Sequence, residues 1–311
     1  MRILIATCLA AGALYGQPGK LQAPGSGFVF DRTSQTLRRI QGIPGAALIG
    51  ASVDFGFPIT AATVSPRMDS AIVLSDDGAA HLFRITGDAP VEKPIDGLTP
   101  AARVVFSPSG TAAVLYANGS AQVIKGLPDA ATASATVNVH GNAKLLRRPA
   151  SESLAISDDG AYLLYAGTGP VELIGVAGDS RKLMDAAPGA LTAFAPVGHD
   201  AAVIHSGTLT LFHDVVGAAT RRDVPILTVP SAVAFSQDAR TVFVASERAR
   251  TVNAIDAGSG EGASLVCDCA PTLLVPMGAL FRLNEMSSAP LWLLDATAAP
   301  KLVFVPAKSG I

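Results

Sequence analysis

One motif recurs along this chain and limits what it can fold into: a short apolar run, a turn of Ser, Pro, Asp or Gly, then a second apolar run. "ARVVFSPSG" from Ala102, "SLAISDDG" from Ser153 and "SAVAFSQD" from Ser231 carry it, and "ITAATVSP" from Ile59, "LTAFAPVG" from Leu191 and "TLLVPMG" from Thr272 align with them. Successive starts lie roughly 40 residues apart, with one longer interval, which is the period of a four-stranded propeller blade.

Each unit continues in the same order. "TAAVLYA", "NGS" and "AQVIKG" in the second unit, and "TVFVAS", "ERAR" and "TVNAID" in the fifth, read as second strand, turn and third strand. The runs are short and almost wholly Val, Ile, Leu, Phe and Ala, so the strands are expected to be buried on both faces, as when blades stack around an axis. Outer-membrane barrels need longer strands, about 9 to 11 residues, with polar and apolar residues alternating, and fit badly. In the turns, Ser or Asp bonds the backbone two residues on, Pro presets φ, and Gly takes the positive φ that closes a hairpin. Asn118 and Gly119 are expected to form such a turn, although "NGS" also matches a glycosylation acceptor.

The run F-S-P-S-G … A-V-L-Y-A-N-G … A-Q-V-I resembles the YVTN-type and TolB-like repeats of bacterial β-propellers, a WD-repeat-like architecture, from about Ile59 to Ala307. The resemblance implies a fold more than an activity, because such propellers include binding proteins, scaffolds and a minority of enzymes. The chain lacks a clean YVTN string, and its first and last units drift furthest. Six units read as complete. "GFVFDRTSQTLRRIQG" adds two strands that resemble the third and fourth of a blade, followed by "IPGAALIGASVDFGF" as a connector. These strands are expected to build most of a seventh blade beside the sixth unit, so that N- and C-terminal strands close an all-β, seven-bladed ring; six blades with a decorated edge is the alternative. Arg38 with Arg39, Arg147 with Arg148, Arg181 with Lys182 and Arg221 with Arg222 fall at or near expected fourth strands, where charge protects an open edge.

A chain of 311 residues that is 49% hydrophobic and 15% charged, with 30 Gly and 21 Pro, suits many short buried elements separated by turns and excludes disorder. A net charge of -2 supplies no field to gather phosphate backbones, so nucleic acid is not an expected partner. The opening "MRILIATCLAAGALYGQPGK" pairs Arg2 with an apolar stretch from Ile3 to Leu14 and then small residues, as a secretory signal does. Residues 1–16 are expected to be that signal, cut after Ala13 or Gly16 and taking Cys8 with it. Residues 17–311 are then a single propeller domain, exported to the periplasm or beyond the cell. About 12 apolar residues cannot cross a hydrocarbon core roughly 30 Å thick, so no transmembrane segment is expected in the mature chain.

Candidate chemistry is sparse. His199, Asp200, His213 and Asp214 come from "GHDAAVIHSGTLTLFHD" and, in the blade arrangement, lie at one end of a blade, where imidazole and carboxylate can converge on a divalent metal; His205 falls at the opposite end. The spacing matches no standard ligand set, and ordinary turn residues are the competing reading. Cys267 and Cys269 in "CDC" can share a soft metal, oxidise together as a redox pair, or simply mark a turn. The two "SDDG" strings at 75–78 and 157–160 project from opposite ends of the ring and read as turns. No GxSxG elbow, Walker loop, HExxH or dinucleotide fingerprint occurs. These features imply a non-catalytic exported monomer, without an obligatory cofactor, that binds a protein or small ligand through its loop face or central channel. A metal-dependent, lactonase-like hydrolase and a structural part of an envelope assembly are the alternatives, and the polar residues lining the channel decide most between them.

Overall fold

A computed structural model describes residues 25–139, 152–287 and 289–307 as an all-β ring of seven antiparallel sheets. Blade 1 holds β1 (Gly25–Asp31), β2 (Thr36–Gln41) and β3 (Leu48–Val53); blade 2 holds β4 (Ile59–Val64), β5 (Ser70–Ser75), β6 (Ala80–Arg84) and β7 (Val91–Glu92). Blade 3 holds β8 (Arg103–Phe106), β9 (Ala112–Ala117), β10 (Ser120–Lys125) and β11 (Thr132–Asn138). Blade 4 runs through β12 (Ser153–Ile156), β13 (Tyr162–Ala166), β14 (Val171–Gly175) and β15 (Ser180–Met184). Blade 5 has β16 (Leu191–Phe194), β17 (Ala201–His205), β18 (Thr208–His213) and β19 (Thr220–Pro225). Blade 6 has β20 (Ala232–Phe235), β21 (Thr241–Ser246), β22 (Thr251–Asp256) and β23 (Gly262–Val266), and blade 7 has β24 (Val275–Met277), β25 (Leu280–Arg282), β26 (Leu291–Asp295) and β27 (Lys301–Val305). Among the described residues no helix is long and apolar enough to cross a membrane.

The continuous apolar runs work as period-2 strands with two buried faces. Along β9, Ala112, Val114 and Tyr116 pack toward blade 4, while Ala113 and Leu115 pack toward blade 2. Strand β13 divides likewise, with Leu163 and Tyr165 toward blade 3 and Leu164 and Ala166 toward blade 5. Seven such apolar clusters fill the seven blade-to-blade interfaces, and the one containing Val29, Ile40, Met277 and Leu293 closes the circle between blades 7 and 1.

Turn chemistry sets the reversals. Ser157 Oγ donates to Asp159 Oδ1 at 2.6 Å and accepts the Tyr162 N–H at 3.0 Å, while Asp159 accepts the Ala161 N–H at 2.9 Å. Ser236 and Asp238 repeat the arrangement in blade 6. Asn118 and Gly119 have φ of 51° and 78°, as a two-residue hairpin turn requires.

The seven-blade count holds, but blade 1 differs from its expected form. Its strands are not joined to the sixth unit, which completes its own four-stranded sheet; they pair with each other and with β3, drawn from the stretch read as a connector. Leu37 against Val53 and Arg38 against Ser52 fix that pairing. Closure is therefore by face packing rather than by a sheet shared between chain ends. The arginine pairs also divide. Arg181, Lys182, Arg221 and Arg222 do lie on outer strands β15 and β19. Arg38 and Arg39 lie on β2 inside blade 1, where Arg38 meets Asp31 at 3.4 Å and Arg39 donates to the Gly87 carbonyl of blade 2 at 2.7 Å. Arg147 and Arg148 fall outside the described residues, as do Cys8 and the whole expected signal segment.

Candidate functional site

The first strands of blades 2 to 7 run beside the axis, most of them only three or four residues long. Together they wall a central cavity of about 410 Å³. Val64, Val105, Phe106, Ile156, Phe194, Val233 and Val275 make most of this wall apolar. Blade 1 contributes no described residue to it, and the Gly278 N–H of blade 7 donates directly to the Pro66 carbonyl of blade 2 at 2.7 Å.

The two ends of the channel differ chemically. One is ringed by the first-to-second-strand turns, with Pro66, Pro108 and Pro196, and by Pro276 of β24. Proline lacks an N–H, and the side-chain donors here are Ser236, whose hydroxyl is given to Asp238, and the exposed amide of Gln237. At the other end, where the axial strands begin, stand Arg103, Glu152, Ser153, Thr192, Ser231 and Thr272. Most of these polar groups already satisfy one another. Ser153 Oγ lies 3.0 Å from Thr192 Oγ1 and accepts the Thr192 N–H at 2.9 Å, and Ser231 Oγ donates to the Pro271 carbonyl at 2.6 Å. Glu152 accepts a hydroxyl on each carboxylate oxygen, from Tyr116 at 2.9 Å and Tyr165 at 3.1 Å. Burial first, then the neighbouring Glu152, pushes Tyr116 up to about 12; the same two causes raise Tyr165.

Besides the exposed Thr272 hydroxyl, Arg103 is the exception. Its guanidinium donates to the Glu152 main-chain carbonyl at 3.0 Å and forms no other hydrogen bond among the described residues. Open to water along the axis yet crowded by the channel walls, it has a pKa below its ordinary value through desolvation, against the opposing pull of Glu152. Repeat alignment contains a signal for it. Counting back from the turn, the residues equivalent to Arg103 are Ala61, Ser153, Leu191 and Ala232, so one charge replaces small or apolar residues.

The residues singled out by sequence lie elsewhere. His199 and Asp200 occupy the β16–β17 turn and His213 ends β18, at one end of blade 5, with His205 at the other. Yet His199 Nε2 pairs across the interface with Asp159 of blade 4 at 3.0 Å, whereas His213 Nδ1 pairs with Asp200 at 2.8 Å. Asp200 also accepts the Asp214 N–H, and Asp214 accepts the Gly217 N–H. The four thus divide between two contacts, and no group of three His, Cys, Asp or Glu able to hold a metal ion occurs among the described residues. Cys267 and Cys269 lie past β23, in the connection to blade 7, and are disulfide-bonded with Cα atoms 5.0 Å apart. Both are buried, and Cys269 borders an outer groove with Arg250, Asn284 and Trp292.

No family model and no curated protein matches the chain. Solved structures do. A functionally unknown protein from Desulfotomaculum acetoxidans superposes with a TM-score of 0.58 at 15% identity, covering 91% of this chain and 99% of that one. Hydrazine synthase from Kuenenia stuttgartiensis superposes at 0.57 and 13% identity over 94% and 99%. The β-propeller domain of Cps50 (Swd1) from Myceliophteria thermophila gives 0.52 at 12% identity over 85% and 94%. At these identities the likeness is one of fold, and the fold is a β-propeller.

Proposed function

We propose that this protein is an exported, non-catalytic binding propeller that takes a small apolar ligand into its central channel. One observation carries the reading: six axial strands converge on a cavity of about 410 Å³ whose wall is mainly Val, Leu, Ile, Phe, Ala and Pro. A concave, mostly apolar site with few polar groups at one end is the usual form of a small-molecule pocket, and this volume lies in the usual range of about 300 to 1,000 Å³. Acid, base and nucleophile do not converge there, which favours binding over the lactonase-like alternative. Export is supported by the opening segment and by the Cys267–Cys269 pair, since disulfides persist in oxidising compartments.

Titration of the full chain with N-phenylnaphthylamine, a neutral apolar dye that brightens out of water, tests the channel. Saturable binding of one dye per chain is expected, lost in Val105→Trp, which fills the cavity, with Thr63→Trp as a second variant if the first misfolds. Absence of saturable binding, or unchanged binding in a folded, filled variant, overturns the reading. Elemental analysis of the purified protein addresses the hydrolase: a stoichiometric divalent ion whose removal abolishes a hydrolytic activity would replace the binding function with catalysis.

A further inference from the structure

Arg103 carries an inference about the ligand itself. A guanidinium has five N–H donors in a planar fork, and here one of its nitrogens is engaged, by the Glu152 carbonyl. The adjacent carboxylate does not take up the rest, because both Glu152 oxygens are held by the Tyr116 and Tyr165 hydroxyls. The mouth hydroxyls of Ser153, Thr192 and Ser231 are bonded to one another or to backbone. Arg103 is exposed, so water serves its spare donors, and a ligand that displaces this water has to bring acceptors of its own. We propose that the channel ligand is an apolar chain ending in a carboxylate, with the carboxylate on Arg103 at the mouth and the chain running toward the proline-ringed end.

The proposal rests on the channel-binding reading and adds the ligand's chemistry. The planar fork matches a carboxylate through two parallel hydrogen bonds. A dianion fits less well, because Arg103 is the sole cationic side chain among the described channel residues and Glu152 stands beside it. Below the mouth, Val105, Phe106, Ile156, Phe194 and Val233 offer nothing but apolar contact. At the far end the prolines withhold their donors and Gln237 offers one neutral amide, so nothing there competes with Arg103 for a carboxylate.

The test displaces bound N-phenylnaphthylamine from the full chain with decanoate, decanol or decyltrimethylammonium, in the wild type and in Arg103→Met. Decanoate is expected to displace at about tenfold lower concentration than decanol, the gain typical of a hydrogen bond to a charged group. Decyltrimethylammonium is expected to be weakest. In Arg103→Met the decanoate advantage is expected to vanish while decanol displacement stays. Equal displacement by decanoate and decanol in the wild type, or a preference that survives in Arg103→Met, overturns the inference and leaves channel binding standing. If the dye itself does not bind, the channel reading fails first. Should Arg103→Met misfold, the wild-type comparison decides alone, and Arg103→Gln supplies the second variant.

Discussion

Protonation of His213 is tied to the folded state by its hydrogen bond to Asp200 at 2.8 Å. That bond, then the Asp200 charge, raises the imidazole pKa above its ordinary 6.5. A raised native value means that the protonated form favours folding: the contribution is fully present below the unfolded value and is lost as pH rises through the higher native one. Proton NMR titration is expected to place His213 above 6.5 in the wild type and lower in Asp200→Asn; a value unchanged by Asp200→Asn would mean that the pair does not form. The same residue shows how far a local reading goes. The sequence places His213 near Asp200, His199 and Asp214, all in one blade, but side-chain direction separates them, and His199 finds its partner Asp159 some 40 positions away in blade 4. Arg103 was missed for the opposite reason: its one signal, a charge where the other units carry small or apolar residues, gains meaning only when the ring puts that position at an axis.

Six first-to-second-strand turns share one backbone demand. Their fourth residues, Met68, Gly110, Gly160, Gly198, Ala239 and Gly278, all have positive φ, between 59° and 75°. At Gly110 the constraint is double, because an added Cβ would also run into the Ser65 side chain and Pro66 of blade 2. Gly110→Ala is expected to lower stability by about 2–4 kcal/mol from left-handed strain plus overpacking, read as a shifted denaturation midpoint. An effect near zero would mean that this turn can rearrange. The turns were legible because Ser, Pro, Asp and Gly act within five residues. Strand β3 was not: "LIGASV" has no apolar run, since an outer strand is mostly exposed, and its identity as a strand comes from pairing with β2.

At the scale of the whole ring, every interface carries an apolar cluster and a polar tie. Arg84 meets Asp129 between blades 2 and 3 at 2.6 Å, the Ser109 N–H meets Asp158 between blades 3 and 4 at 2.8 Å, and Arg32 meets Glu285 between blades 7 and 1 at 3.2 Å. An open array of repeats frays from its ends, whereas a closed ring gives every blade two neighbours. Ile40, fully buried in the closing cluster, tests this. Ile40→Ala is expected to cost about 2–5 kcal/mol and to lower the midpoint of a single cooperative transition. Hydrogen exchange that shows blade 1 opening far below the global stability would instead mark it as an appended sheet.

The sequence by itself determined the repeating unit, the strand order within the six complete units, the turns and the circular, all-β plan, because hydrophobic periodicity and turn chemistry act over a few neighbouring residues. Only the tertiary structure decided that blade 1 contributes no described residue to the channel wall, that six strands enclose an apolar channel, and that Arg103 reaches Glu152 across 49 positions. Those facts depend on how the ring closes. Closure follows from side chains on faces that meet only after every blade has formed.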